Sequence, residues 1–333
     1  MPCSSRLQLT LLGGFTLRRD AREIAVAASG QRLIALLALY GIVRAAGEAA
    51  WLGVVAVAIY AADPLSFFQG RLGMLDIMVT AAMLVAAWLA LRGRWAWSGV
   101  ALGIATLIKL TGALGLLALV LMQIVIVIGK LIRREPVRRA DVTPMVVIVA
   151  VYGVVFIGGL WVLDLAFTSF RTPWDHLLYM IRIGRLITGS QLDSSQPWQW
   201  LLDVGQFDFV GIDPRASTGV QPTSLVFRAA VNPLLLLALP FALVYVVWIT
   251  SQQGNRSGLW SLSWLAGTYL PLFGLMLANR TMYLYYMTPI VPALVVMVAL
   301  LFMRSRLPRW VAAMYVAASW VAFALYFPFW GQM

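Results

Sequence analysis

Residues 67–80 read FFQGRLGMLDIMVT and put Arg71 and Asp76 five positions apart at the mouth of an apolar run. Charges beside a membrane-length apolar stretch are costly, so by default they have a partner and a task. Two further cations close long apolar stretches: Lys109 after GIATLI and Arg280 after LMLAN. Three cations and a carboxylate at one depth could hold a phosphate. The planar arginine fork binds it through two hydrogen bonds, and lysine adds a compact charge. In a dry site such donors stabilise a phosphate as it leaves its partner. Plainer readings stand beside this one. Arg71 and Asp76 could pair with each other across little more than a helical turn. Lys109 could snorkel to the interface, and Arg280 could be an ordinary boundary charge. The one histidine, His176, reads as interfacial rather than catalytic. With one cysteine, Cys3, and one histidine, no disulfide within the chain and no metal site is expected.

The elements that must position these residues are legible in the composition. The chain of 333 residues is 62% hydrophobic and 11% charged, with a mean hydropathy of +0.86. A soluble domain carries about twice that charge, so the expected class is an all-α polytopic transmembrane helix bundle. A crossing helix needs about 20 apolar residues. Plausible spans are 49–68, 74–91, 95–113, 114–129, 144–166, 232–250, 259–278, 283–303 and 310–328, about nine in all. The division between 95–113 and 114–129 is left open, because the two touch. The net charge of +12 sits mostly in short clusters between spans. Arg92 and Arg94, the run Lys130 to Arg139, Arg256, and Arg304, Arg306 and Arg309 fall on alternate loops, which the positive-inside rule makes cytoplasmic. The opposite side then carries 63–73, the turn at Lys109, the long loop 167–231, and 279–282. Within that loop DHLLYMIRIGRLI places Leu177, Leu178, Ile181 and Ile187 on one helical face, an interfacial helix. The SSQPWQW turn that follows carries Trp198, either a headgroup anchor or a substrate contact. Asn255-Arg-Ser and Asn279-Arg-Thr match the glycosylation pattern, which recurs by chance.

Residues 1–41 read differently. LQLTLLGGFTLRRDAREIAV alternates apolar and polar residues around Gly13-Gly14 and RRDAR, predicting two or three short strands. ASGQRLIALLALYG then predicts a helix with Ser29 as its N-cap, and the apolar run 33–43 is too short to cross alone. Arginines at 6, 18, 19, 22 and 32 favour the cytoplasm for this segment, read as an atypical, β-rich, non-transmembrane stretch ahead of a domain at 42–333. Residues 8–41 resemble the opening of the winged-helix domain of antibiotic-regulatory-type transcription activators. The recognition helix and wing do not follow, so no nucleic-acid partner is expected.

From about residue 42 to 328 the chain resembles the protein O-mannosyltransferase family of the GT-C superfamily. The resemblance rests on Asp63-Pro64, on Arg71 with Leu75-Asp76, on Lys109 with Thr111-Gly112, on PWDHLLYM…SSQPWQWLL, and on NRTMYLYYMTPIVPAL with its paired tyrosines and prolines. It implies a membrane glycosyltransferase moving a sugar, mannose in the family, from a polyprenyl phosphate to a protein or lipid hydroxyl with inversion. It also implies an extracytoplasmic active side in a bacterial plasma membrane, with no cofactor beyond the donor. The residues it implies are Asp76 for catalysis, orienting Arg71 or a sugar hydroxyl. Arg71, Lys109, Arg280, Asp63, Trp198 and Tyr285 would bind substrate. The family's general base is an aspartate in a first outer loop, just after a first span, and the matched positions begin after it. The alternatives are a non-catalytic or transporter-like lipid-phosphate binder, for which an internal repeat is expected and none is visible, and a membrane-tethered regulator.

Overall fold

The structure, a computed structural model, describes residues 7–10, 16–19, 22–25, 28–167, 170–186, 195–202, 207–212 and 225–326. Three short strands, β1 (Leu7–Thr10), β2 (Thr16–Arg19) and β3 (Arg22–Ala25), form an antiparallel sheet as the alternation predicts. Helix α1 (Ala28–Ala45) follows, with Ser29 inside its first turn rather than capping it. The helix runs without a break through position 41, and Ala35, Leu39, Ile42 and Val43 are wholly buried. It packs on α2 (Ala50–Ala61) and on α4 (Leu75–Leu91), so residues 28–45 belong physically to the helical core.

The stretch 49–68, read from sequence as one span, is broken. Pro64 cannot donate a helical hydrogen bond, and it holds the preceding residue extended. Asp63 accordingly sits at φ −87°, ψ 117° and caps α3 (Pro64–Leu72), accepting from the Ser66 N–H at 2.8 Å. The two helices meet at 69°. The undecided boundary after residue 95 falls at Lys109. Helix α5 (Trp95–Ile108) ends there, a 3-10 turn covers Leu110–Gly112, and α6 (Ala113–Ile132) leads away. Helix α7 (Arg139–Phe167) runs back alongside α5. The interfacial helix expected in the long loop is α8 (Pro173–Leu186), with Trp174, Leu178 and Ile181 exposed; Ile187 lies outside the described residues. The short α9 (Pro197–Leu201) and a hairpin of β4 (Phe207–Ile212) with β5 (Leu225–Ala229) complete the described part of this loop.

Helices α10 (Pro233–Gln253), α11 (Arg256–Leu277), α12 (Val291–Arg304) and α13 (Arg309–Tyr326) close the bundle. The predicted span 283–303 starts instead with a 3-10 turn at Leu284–Met287, and its α-helix begins only at Val291. Among the described residues, Leu110–Ile132, Arg139–Phe167 and Pro233–Gln253 are long and apolar enough to cross a membrane alone. The bent α2–α3 pair makes a fourth, and α4, α5, α12 and α13 are shorter apolar helices. Leu237, Phe241, Val244 and Trp248 form an exposed apolar stripe on α10, spaced as one helical face and suited to lipid. Every residue from Val291 to Leu300 of α12 is buried, so this helix is walled by protein on all sides.

Two polar knots fasten the ends. At the arginine-rich end Glu48 is buried in the α1–α2 turn, accepting from Asn255 Nδ2 at 2.7 Å and from Arg304 Nε at 3.0 Å. Asn255 also caps α11 through Gly258 N–H, so this sequon asparagine is committed to the fold. At the other end Asn232 donates its backbone N–H to Asp63 Oδ1 at 3.0 Å. Its amide donates to the carbonyls of Ala62 and Ser319 at 2.8 and 3.0 Å. Arg32 lies at this second end, its Nη2 on the Ala61 carbonyl at 2.6 Å. The cytoplasmic placement read from the N-terminal arginines and that read from the arginine-rich turns thus assign Arg32 to opposite ends of the bundle. Helix α1 starts at the end opposite the turns rich in arginine, because its apolar face continues well past the short run seen in the sequence.

Candidate functional site

Lys109 is the centre of the best-formed polar cluster. It is the residue at which α5 stops, with extended backbone at φ −157°, ψ 136°. The turn after it is tight. A Cβ on Gly112 would stand 2.5 Å from the Ala105 carbonyl carbon, so only glycine lets the chain fold back this closely onto α5. The lysine reaches Asp76 in the first turn of α4, with Nζ 2.6 Å from Oδ1, and the Asp76 side chain is 9% exposed. Its ammonium also lies 4.8 Å from the centroid of Tyr285 and 5.3 Å from that of Tyr286. Ring faces carry negative quadrupole charge, so both phenols add to the attraction.

The tyrosines are themselves braced. Tyr283 stacks on Tyr285 at 5.2 Å, and Tyr285 packs on Tyr286 at 4.9 Å. Burial pushes both the Tyr285 and Tyr286 phenols above their ordinary value in this turn ahead of α12, so each keeps its proton as a donor. Arg280 lies beside Tyr286 and draws that phenol back the other way. Trp200 of α9 is 1% exposed. It donates from Nε1 to Ser195 Oγ at 2.8 Å and faces Tyr286 at 6.4 Å. Tyr269 of α11 holds α9 by donating to the Pro197 carbonyl at 2.9 Å.

The residues singled out in the sequence distribute as follows. Asp76, Lys109, Tyr285 and Arg280 come together around the two tyrosine rings. Asp76 pairs with Lys109, not with Arg71, and Lys109 is engaged rather than snorkelling. Arg71 lies elsewhere on the same end, its guanidinium 5.3 Å from the Phe67 centroid. Asp63, expected among the substrate contacts, is wholly buried with its two oxygens taken by Ser66 and Asn232 N–H groups. It acts as a cap and strut. Trp198 is 48% exposed on α9, and the neighbour that supports the cluster is Trp200. Sequence reasoning also missed Asp164. This buried carboxylate of α7 meets His176 Nδ1 at 2.8 Å, and the Phe170 ring stacks on the imidazole at 4.3 Å. The signal was available as an acid one helical turn from the end of an apolar span. Among the described residues no cluster of His, Cys, Asp and Glu is suited to hold a metal ion.

No known family model matches the sequence, and no curated protein is similar to it. Two solved structures are similar to it. One is ArnT from Cupriavidus metallidurans bound to undecaprenyl phosphate, with a TM-score of 0.50 and 14% identity over 90% of this chain and 55% of that one. The other is the Archaeoglobus fulgidus oligosaccharyltransferase in its apo form, with a TM-score of 0.49 and 13% identity over 90% of this chain and 44% of that one. The chain thus spans about half the length of the structures it matches. The likeness in fold to ArnT, joined to the apolar helices, makes this an integral membrane protein built as a bundle of transmembrane helices.

Proposed function

We propose that this chain binds a polyprenyl-phosphate sugar and belongs to a membrane glycosyltransferase that moves the sugar, mannose by the sequence resemblance, to a protein or lipid hydroxyl. The observation that carries the reading is the Lys109 cluster. A cation is fixed by a carboxylate and two ring faces at the end of three helices, with Arg280 beside it. ArnT, which has this fold, was solved with undecaprenyl phosphate. In the reaction the acceptor oxygen attacks the anomeric carbon and the bond from that carbon to the phosphate oxygen breaks. Polyprenyl phosphate leaves, and the hydroxyl proton passes to a base. Lys109 and Arg280 supply positive charge where the phosphate gains negative charge. The phenols of Tyr285 and Tyr286 supply neutral donors. Asp76 holds Lys109 in place, a positioning role.

A second reading rests on one observation. Asp63 is consumed by the fold and Asp76 by Lys109, so neither carboxylate of the matched motifs is free to take the hydroxyl proton. On that reading the chain holds the lipid phosphate without transferring the sugar. Purified protein in lipid nanodiscs, given radiolabelled polyprenyl-phosphate mannose and a serine- and threonine-rich peptide, separates the two. Label on the peptide supports transfer. Donor retained on the protein with no label transferred supports binding alone, and neither outcome overturns both readings.

A further inference from the structure

We propose that Arg32 and Arg71 form a two-arginine clamp, closed across the ring of Phe67, for the phosphate of a lipid-linked ligand. The proposal rests on the donor-binding reading above and places a second phosphate contact on the same end, apart from the Lys109 cluster, with Arg32 of α1, a residue outside every motif of the O-mannosyltransferase resemblance.

The geometry is specific. Phe67 and Arg71 are four residues apart on α3 and share a face of that helix. Arg32 arrives from α1. Its guanidinium carbon lies 4.7 Å from the Phe67 centroid, and that of Arg71 lies 5.3 Å from the same point. Gly70 makes room for the approach, since a Cβ there would stand 3.0 Å from Arg32 Cδ. Two like charges near one ring repel, an effect that the nearby Asp63 carboxylate offsets at Arg32. Neither guanidinium forms an ion pair with a carboxylate among the described residues. The nearby carboxylate, Asp63, has given its oxygens to backbone N–H groups.

The polar inventory around the clamp is also incomplete. Arg32 Nε is buried without a hydrogen-bond partner. Buried polar atoms are rarely left this way, and an unpartnered donor beside two guanidinium groups suits an anion. A phosphate suits it, because each arginine can offer it two parallel N–H donors and the Phe67 ring shields one side from water.

The adjoining surface points to a lipid as the carrier of that phosphate. Leu33 and Leu37 are 56% and 63% exposed, four residues apart on α1, and begin immediately after Arg32. They form an apolar track leading from the clamp toward the middle of the bundle, the arrangement a polyprenyl or acyl chain needs beneath its headgroup.

The test uses the full chain in nanodiscs and measures binding of undecaprenyl phosphate, undecaprenol, phosphatidylglycerol and inorganic phosphate to five forms. These are wild type, Arg32→Ala, Arg32→Lys, Arg71→Ala and Lys109→Gln. The clamp predicts that Arg32→Ala and Arg71→Ala each weaken undecaprenyl phosphate by about tenfold, while undecaprenol is unaffected. Arg32→Lys keeps the charge but loses the fork, so it restores affinity only in part; it also keeps the test open should the alanine variant fail to fold. Arg32→Ala and Arg32→Lys binding like wild type, with Arg71→Ala or Lys109→Gln weakened, would reduce Arg32 to a helix-end brace and leave the donor reading standing. No binding by wild type would remove the donor reading and the clamp together. Phosphatidylglycerol binding equally, with the same dependence on Arg32, would overturn the polyprenyl ligand and keep the lipid phosphate. Inorganic phosphate matching undecaprenyl phosphate in every form would overturn the lipid part.

Discussion

The two ends of the bundle use charge in opposite ways. At the arginine-rich end Glu48 is saturated, accepting from Asn255 and Arg304 on its side chain and from Arg44 on its carbonyl at 2.5 Å. Three turns distant in sequence are tied by one carboxylate. Among the described residues at the other end, cations outnumber free carboxylates. Asp76 serves Lys109, Asp63 serves two backbone groups, and Arg32, Arg71 and Arg280 form no ion pair with a described carboxylate. Charge that holds a fold together is matched inside the fold. On the proposed function, the cations that form no ion pair among the described residues are those that meet a lipid phosphate.

This contrast can be broken by mutation. The largest stability effect is expected from Glu48→Ala, which strands a buried amide and an arginine. It should cost about 3 kcal/mol, read as a fall in melting temperature in detergent, with ligand affinity of the folded fraction unchanged. Asp63→Ala should cost about 2 kcal/mol by removing a helix cap and the acceptor for Asn232 N–H. An equal cost in donor affinity at unchanged stability would instead return Asp63 to the substrate contacts. Lys109→Gln retains a donor to Asp76 but removes the charge. It should cost about 2 kcal/mol, because a buried carboxylate loses its counter-charge, and weaken polyprenyl-phosphate binding by about tenfold. A variant that loses stability but not affinity would make the Lys109 pair a second structural knot and erase the difference between the ends. Trp198→Ala, on an exposed face, should shift stability by no more than about 0.5 kcal/mol; sugar transfer falling at that constant stability would identify Trp198 as an acceptor or donor contact.

The hydrophobic record in the sequence is long enough to reveal where helices lie. All nine apolar stretches form helices, and alternate turns carry the arginines. What local pattern could not convey is how partners far apart in the chain choose one another. Asp76 and Lys109 were recognisable as costly charges, yet five residues separate Asp76 from Arg71 and thirty-three from Lys109, and the distant partner is the one it takes. Asp63 looked available because its partner, Asn232, is 169 residues away in an unremarkable position. The two arginine-based readings conflict at Arg32 for a different reason. Counting arginines in a segment assumes that the segment lies on one side, whereas α1 begins at one end of the bundle and finishes at the other. The broken span at Asp63-Pro64 was written locally, by a proline and a capping acid, and could have been read without any long-range information.

Helix α12 carries a consequence for how the molecule is assembled. Ten successive buried residues of this helix are all apolar, so close packing, not exclusion from lipid, selects its protein slot. The helices it packs against are α2, α10, α11 and α13, and all but the last precede it in the chain. During synthesis α12 therefore enters a cleft already walled on three sides, and α13 shuts the fourth. The order of the segments along the chain doubles as an order of construction, with the central post set only after its surrounding walls are standing.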